Sequence, residues 1–162
     1  MAFTAYTYAD RATANSYATV AEFTAYLADR LNAPTISTDA EKEKLLMAGT
    51  QRLEAEDYKG DRTYSDGRLK WPRSGLPDDD GFEFSDGVIP EKVKIALYEA
   101  AIYAKTVDIT AANDELNYRS AAVGEISVTY NNRALSPNDT LTSAVWQNLS
   151  HFLDYRGNRV SR

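Results

Sequence analysis

Apolar side chains recur at helical spacing in four segments of the chain, and between the second and third lies a stretch, Tyr58 to Val88, with no period at all. The first segment carries Val20, Phe23, Leu27 and Leu31 on one face. Thr19 with Glu22 three residues later forms a capping-box pattern at its start, and Pro34 closes it. The second opens at Thr38, from which Glu41 can reach back, and places Leu45, Leu46, Gly49 and Leu53 on one side as far as about Asp57. Glu41, Lys42, Glu43, Lys44, Glu54 and Glu56 fall on its other side or at its ends, the pattern of a solvated face.

The third segment begins with Pro90 at the first helical position and Glu91 in the first turn, where a missing amide and a negative charge are both tolerated. Its face is Val93, Ala96, Leu97, Ala100, Ala101 and Ala104. Small side chains let another helix approach closely, so this helix is expected at the centre of a bundle. In the fourth, Ser136 caps, Pro137 takes the first position, and Leu141, Val145, Leu149 and Phe152 recur, with Trp146 and Leu153 widening the face. Gly157 is the expected stop.

One segment alternates instead. In "GEISVTYN", Ile126, Val128 and Tyr130 point one way and Glu125, Ser127 and Thr129 the other, which predicts a strand over 123–131. A strand needs a partner, either a weakly patterned piece of the central loop or a strand of another subunit. Residues 1–18, rich in Thr, Ala and Tyr, read as an extended arm. The expected fold is therefore mainly α: one domain over 1–162, a small bundle of about four helices in a core spanning 19–154, a long central loop at 58–88, a short β-strand or hairpin element, and a basic tail at 155–162. A loop that long inside a compact domain is usually functional.

Charge narrows the partners. Eighteen basic against 24 acidic residues leave a net charge of −6, the wrong sign for tight sequence-independent binding of phosphate backbones. Without cysteine there is no disulfide, thiolate zinc site or cysteine nucleophile. Short apolar runs predict no membrane span, and "MAFTAYTYADR" has neither the basic start nor the apolar run of a signal peptide. His151 is the single histidine and reads as a helix-flank residue. Asp78, Asp79 and Asp80 before Gly81 suggest calcium, but the alternate acidic positions and the glutamate six residues beyond the glycine are missing; a polar turn is the expectation. No glycine-rich phosphate loop follows a strand and no serine sits in a nucleophile elbow, so no catalytic, metal or cofactor residue is assigned.

The most specific local feature is Trp71-Pro72-Arg73. The proline holds the tryptophan extended, and the indole supplies a large apolar plug that anchors the loop. Phe82 or Phe84 is expected to pin its other end. After Asp154 the sequence "YRGNRVSR" holds Arg156, Arg159 and Arg162 and no acid, which reads either as a solvated terminus or as a tail suited to an acidic groove on a partner.

The order "ANSYAT", "LKWPRSG" with "DDDG", "IPEKVKIALYEAA" and "VGEISVTY", covering Ala14 to Tyr130, resembles the head-tail connector (adaptor or head-completion) family of tailed bacteriophages, some of whose relatives are described as DnaT-like single-stranded DNA-binding proteins. Relatives often carry a lysine ahead of the "VG" strand, where this chain has Arg119 and "SAAVG".

The resemblance implies a non-enzymatic virion protein at the neck, assembled in the host cytoplasm. It would form a homo-oligomeric ring, typically a dodecamer, under the portal protein. The ring would extend the channel for double-stranded DNA without binding it specifically and would dock a stopper or tail-terminator component below. In that setting Trp71, Pro72 and Arg73 would serve as loop anchor and subunit interface, Ile126, Val128 and Tyr130 as an interface strand, and Arg156, Arg159 and Arg162 as the portal-docking group. The alternative is a single-stranded DNA-binding protein, for which eleven tyrosines offer stacking surfaces.

Overall fold

The computed structural model describes residues 2–78, 81–107, 120–123, 126–129 and 142–154, with the backbone alone at 120–123 and 126–129. They form a mainly helical domain in the order α1 (Val20–Asp29), α2 (Asp39–Glu54), β1 (Asp61–Arg62), β2 (Arg73–Ser74), α3 (Glu91–Ala104), β3 (Ser120–Val123), β4 (Ile126–Thr129) and α4 (Ser143–Leu149).

The capping box at α1 is complete, with the Thr19 hydroxyl accepting from the Glu22 amide and the Glu22 carboxylate accepting from the Thr19 amide. Such a cap stabilises a helix by about 1 kcal/mol. The helix ends before Leu31, which is therefore 85% exposed rather than on the buried face, and Asn32 turns the chain with a φ of 56°. At α2 Thr38 caps as expected. Glu41 does not reach back to it; its carboxylate instead accepts from Lys105, which neutralises a charge at the far end of α3. Pro90 stands one position earlier than the pattern predicts, as the cap residue rather than the first residue of α3.

α3 is the central helix, packed against α2 on one side and α4 on the other. Its small face makes this possible. A Cβ on Gly49 of α2 would lie 2.9 Å from the Leu97 side chain, 3.2 Å from the Leu97 carbonyl and 3.3 Å from the Ala101 amide, so the two backbones approach as closely as a glycine allows. Val93, Ala96, Leu97, Ala100 and Ala101 are fully buried there, joined by Leu46 and Leu53 of α2 and Val145 and Leu149 of α4. α1 leans on this layer through Phe23, whose ring stacks on Tyr98 at 5.7 Å.

α4 is shorter than its pattern: the helix closes at Leu149, and His151, Phe152 and Leu153 turn back toward the loop. His151 is accordingly beyond the helix, its Nε2 2.8 Å from the Pro77 carbonyl oxygen. The positions from Ser136 to Leu141 lie outside the described residues. β4 finds its partner neither in the central loop nor in another subunit: β3, the segment just before it, lies antiparallel to it, Val123 opposite Ile126 and Ala121 opposite Val128. Tyr130 lies outside the described residues.

The arm is less loose than its composition suggests. Ala5 bridges Ser16 in parallel, the Tyr6 amide donates to the Ser16 carbonyl at 2.8 Å, and the Thr4 amide donates to Asn15 Oδ1 at 2.8 Å. Ala14, Ser16, Tyr17 and Ala18 are buried in the core. Aperiodic sequence hides this because the segment is neither helix nor strand; it is held by isolated bonds.

Candidate functional site

The aperiodic stretch from Tyr58 to Val88 is built in two halves. In the first, Trp71 is 1% exposed and stands edge-on between Tyr58, at 5.5 Å, and Phe152, at 5.3 Å. Pro72 follows through a cis peptide bond and is buried. Arg73 turns inward as well: Nε donates to the Lys59 carbonyl at 2.6 Å, Nη1 to that of Lys70 at 3.3 Å, and Nη2 to those of Tyr58 and Gly60. Burial holds its guanidinium below the usual arginine range. The Trp71-Pro72-Arg73 element thus plugs and pins the loop, while β1 and β2 pair Arg62 with Arg73 and Asp61 with Ser74.

The start of the loop is also tied to the end of α4. Tyr58 bridges Leu153, the Lys59 amide donates to the Phe152 carbonyl at 2.8 Å, and the Asp154 amide donates to the Asp57 carbonyl at 2.9 Å. In the second half Pro77 and Glu83 bridge across a tip closed by Asp78, whose Oδ1 accepts from the Phe82 amide at 2.8 Å. Phe84 packs on Phe152 and is the second pin; Phe82 stands at the tip, 73% exposed. Asp79, Asp80, Arg156, Arg159 and Arg162 lie outside the described residues. Among the described residues, no group of three acidic or histidine side chains converges as a metal site, and no helix is long and apolar enough to cross a membrane.

Aromatic and basic side chains come together where the arm crosses the loop, at positions that the pattern of the chain does not single out. A turn over Thr7 to Ala14, closed by the Asp10 carbonyl, holds Tyr8 outward and 64% exposed. Arg11 lies with its guanidinium carbon 4.4 Å from the Tyr8 ring centre and 5.5 Å from that of Tyr64, and the two rings meet edge-on at 5.4 Å. Asp66 grips Arg11 at two points, 2.9 Å from Nε and 2.8 Å from Nη2, and Nη1 donates to the Tyr8 carbonyl at 2.7 Å. The hydrogen bond from Arg11 holds the Asp66 carboxyl below its ordinary value. Tyr6 sits beside this stack, its phenol pushed up by burial and then by its tyrosine neighbours.

Arg62 and Arg68 complete the surface; the Arg68 amide donates to the Arg11 carbonyl at 2.9 Å and the Arg62 guanidinium to the Gly67 carbonyl. Chemically, the stack offers a π-face and a guanidinium edge, the two features on which nucleobases stack. The basic density is moderate, since Asp10, Asp61 and Asp66 share the same segments with the three arginines. The signal that would have located it is the spacing Tyr8–Arg11 opposite Tyr64–Arg68, two aromatic-basic pairs in segments with no period of their own.

No curated protein and no solved structure matches the chain. A family model described as "Putative DnaT-like ssDNA binding protein" matches residues 1–162, reaching beyond the span from Ala14 to Tyr130 that carries the sequence resemblance. Matched from end to end, the chain belongs to this DnaT-like family.

Proposed function

We propose that the protein binds single-stranded DNA through the face formed by Tyr8, Arg11 and Tyr64. Family membership supplies the ligand class, and the exposed stack is the observation that carries the reading. Bases stack on aromatic rings without regard to sequence, each contact stabilising by about 1–3 kcal/mol. With Asp66 already holding Arg11 and a net charge of −6, phosphate contacts are few, so binding is weak and its salt dependence shallow. Titration of a labelled oligonucleotide at low salt tests this. Affinity that falls about 5-fold or more in Tyr8→Ala, with the melting temperature unchanged, is the expected result; binding indifferent to Tyr8 overturns the assignment.

A second reading is favoured by that same acidity. Arg73 is consumed by four backbone carbonyls of its own chain and the loop is rigidly plugged, while Phe82 projects from its tip. An acidic protein with a stiff projecting loop suits a ring-forming head-tail connector, a non-enzymatic virion protein whose channel lets double-stranded DNA slide without sticking. Its partners would be further copies of itself, a portal protein and the next neck component. Light scattering with the cognate portal separates the readings: uptake of many copies supports the connector, and a monomer that shifts only with oligonucleotide supports the first.

A further inference from the structure

Asp66 is the more exposed member of the ion pair at the stack, its side chain 56% accessible against 23% for Arg11. We infer that Asp66 is a positioning residue that makes this face choose single strands over duplex DNA. It holds Arg11 against the two rings and cancels its charge, so that bases meet a π-surface there and phosphates meet no uncompensated charge on Arg11. The inference rests on the single-stranded DNA reading for its ligand and adds the residue that sets its selectivity.

Three observations carry it. The grip is a fork on a fork: Asp66 Oδ1 accepts from Arg11 Nε at 2.9 Å and Oδ2 stands 2.8 Å from Nη2, which fixes the guanidinium in orientation as well as in place. That grip is aimed at the rings, since Nη1 donates to the Tyr8 carbonyl and the guanidinium carbon comes to 4.4 Å from the Tyr8 ring centre and 5.5 Å from that of Tyr64. One cation thereby ties a ring of the arm to a ring of the loop. The third is the placing of the carboxylate. The Gly67 amide donates to the Tyr64 carbonyl at 3.3 Å, so Asp66 stands in the same turn as the ring it serves. Asp10, the acid beside Arg11 in the arm, is instead committed to its own turn, accepting from the Thr7 hydroxyl at 2.6 Å. Each partner also keeps the other charged: the hydrogen bond from Arg11 lowers the Asp66 carboxyl, and the same bond raises the guanidinium. Near neutral pH the pair is ionised and internally neutral.

Selectivity follows from what each form of DNA presents. A duplex keeps its bases stacked on one another and meets a protein with its phosphates, one charge per about 1.7 Å of axis. A single strand offers base faces as well, and these stack on tyrosine whatever their sequence. Tyr8, 64% exposed, is open to such a base. A guanidinium already matched by its own carboxylate gains little from a phosphate, which the Asp66 charge also repels. The same neutral pair costs a stacking base nothing. Discrimination then arises from withholding charge rather than from an added contact.

The test is titration of a labelled single-stranded oligonucleotide, and of the duplex of the same sequence, over a series of salt concentrations. The full chain is compared with Tyr8→Ala, Asp66→Asn, Asp66→Glu, Asp39→Asn and the double variant Arg11→Gln with Asp66→Asn. Asp66→Asn keeps the size of the side chain, leaves an amide oxygen to accept from Arg11, and uncovers the Arg11 charge. Duplex affinity should rise several-fold, the preference for single strands should fall, and the slope of log affinity against log salt should steepen by about 0.9 for duplex, at an unchanged melting temperature. Asp66→Glu should restore wild-type behaviour, and adding Arg11→Gln should cancel the gain, neither of which a merely structural role predicts. Asp39→Asn changes the net charge equally at the opposite end of α2 from the contact between Glu54 and the loop, and should leave the preference as it is. Tyr8-dependent binding of single strands in which Asp66→Asn alters neither slope nor preference overturns this inference and leaves the DNA-binding reading standing; so does an equal effect from Asp39→Asn, or a wild type that prefers duplex. Absence of single-strand binding at low salt, or binding indifferent to Tyr8, overturns both.

Discussion

Arg30 and Glu99 meet at two points, Nε to Oε1 at 2.6 Å and Nη2 to Oε2 at 3.0 Å, and the Tyr26 hydroxyl donates to the same carboxylate at 2.7 Å. The three side chains fasten the end of α1 to the middle of α3, where Glu99 is otherwise surrounded by core. A carboxylate at 8% exposure is tolerable only while its partners stay.

Arg30→Ala should therefore cost more than a surface ion pair. Removing one member leaves Glu99 buried and under-satisfied, so the expected loss is about 2–3 kcal/mol by urea denaturation. Arg30 itself keeps some solvent contact, which holds the figure below that of a fully buried pair. A double change to apolar residues of similar volume should recover part of the loss; if it costs as much as both single changes added, the pair is not acting as a unit.

The same cluster sets a pH window. Burial raises the Glu99 carboxyl, but the hydrogen bonds from Arg30 and Tyr26 and the Arg30 charge outweigh it, and the net position is below the ordinary value of 4.5. A depressed carboxyl contributes stability that is present above that value and disappears as pH falls through the folded-state pKa. Tyr26 moves the other way, pushed up to about 12, first by burial and then by Glu99. Its contribution is whole below pH 10 and is lost as pH rises toward 12. Melting temperatures of the wild type should fall at both ends, with Glu99→Gln flattening the acid limb and Tyr26→Phe the alkaline one.

Gly49→Ala tests how tightly α2 and α3 are set. Alanine is the better helix former by about 1 kcal/mol, which alone would stabilise α2. Against that, the new Cβ meets backbone as well as side chain of α3, at 3.2 Å from the Leu97 carbonyl and 3.3 Å from the Ala101 amide, and backbone cannot step aside. Overpacking of this kind costs about 1–3 kcal/mol, so a net loss of stability in a denaturant melt is expected. A gain would mean that the helices separate freely.

Much of this is legible in the sequence, wherever a periodic signal and a local chemical rule agree. Thr19 with Glu22, the small face of α3 and the buried Val145–Leu149–Phe152 row are all of that kind, and so is Trp71 as a plug. What stayed hidden is carried by single long-range bonds. Nothing in the charged face of α2 marks Arg52 and Glu56 as a buried pair at 2.6 Å, and nothing in "SAAV" marks it as the partner of β4, since its residues fit a helix as well as a strand. The Tyr8–Arg11–Tyr64 stack joins segments more than fifty residues apart, a distance over which no sequence period operates.

Gly60→Ala should be among the more damaging single changes outside the core. Gly60 holds a φ of 70°, in the left-handed region, and a Cβ there would lie 2.4 Å from the Ser74 carbonyl across the β1–β2 pair. Strain and backbone collision act together, and the loop must open to relieve them. The expected result is a loss of about 2–4 kcal/mol with increased proteolysis between Tyr58 and Ser74, whereas Gly81→Ala, with open space around its Cβ position, should cost only its left-handed strain of about 1 kcal/mol.

Trp71 and Phe82 are the sharpest contrast within one loop, and exchanging each for a small residue separates anchoring from presentation. Trp71→Ala removes a side chain that is 1% exposed and leaves Tyr58 and Phe152 facing a void, so about 3–5 kcal/mol should be lost and the near-ultraviolet circular dichroism of the aromatic cluster should collapse. Phe82 is 73% exposed and its backbone bonds to Asp78 do not depend on its ring, so Phe82→Ser should leave both melting temperature and spectrum unchanged. If the loop tip meets another copy of the chain, Phe82→Ser lowers association in light scattering at unchanged stability. If instead the variant melts lower than the wild type, the ring is part of the fold and the tip is not a presented surface.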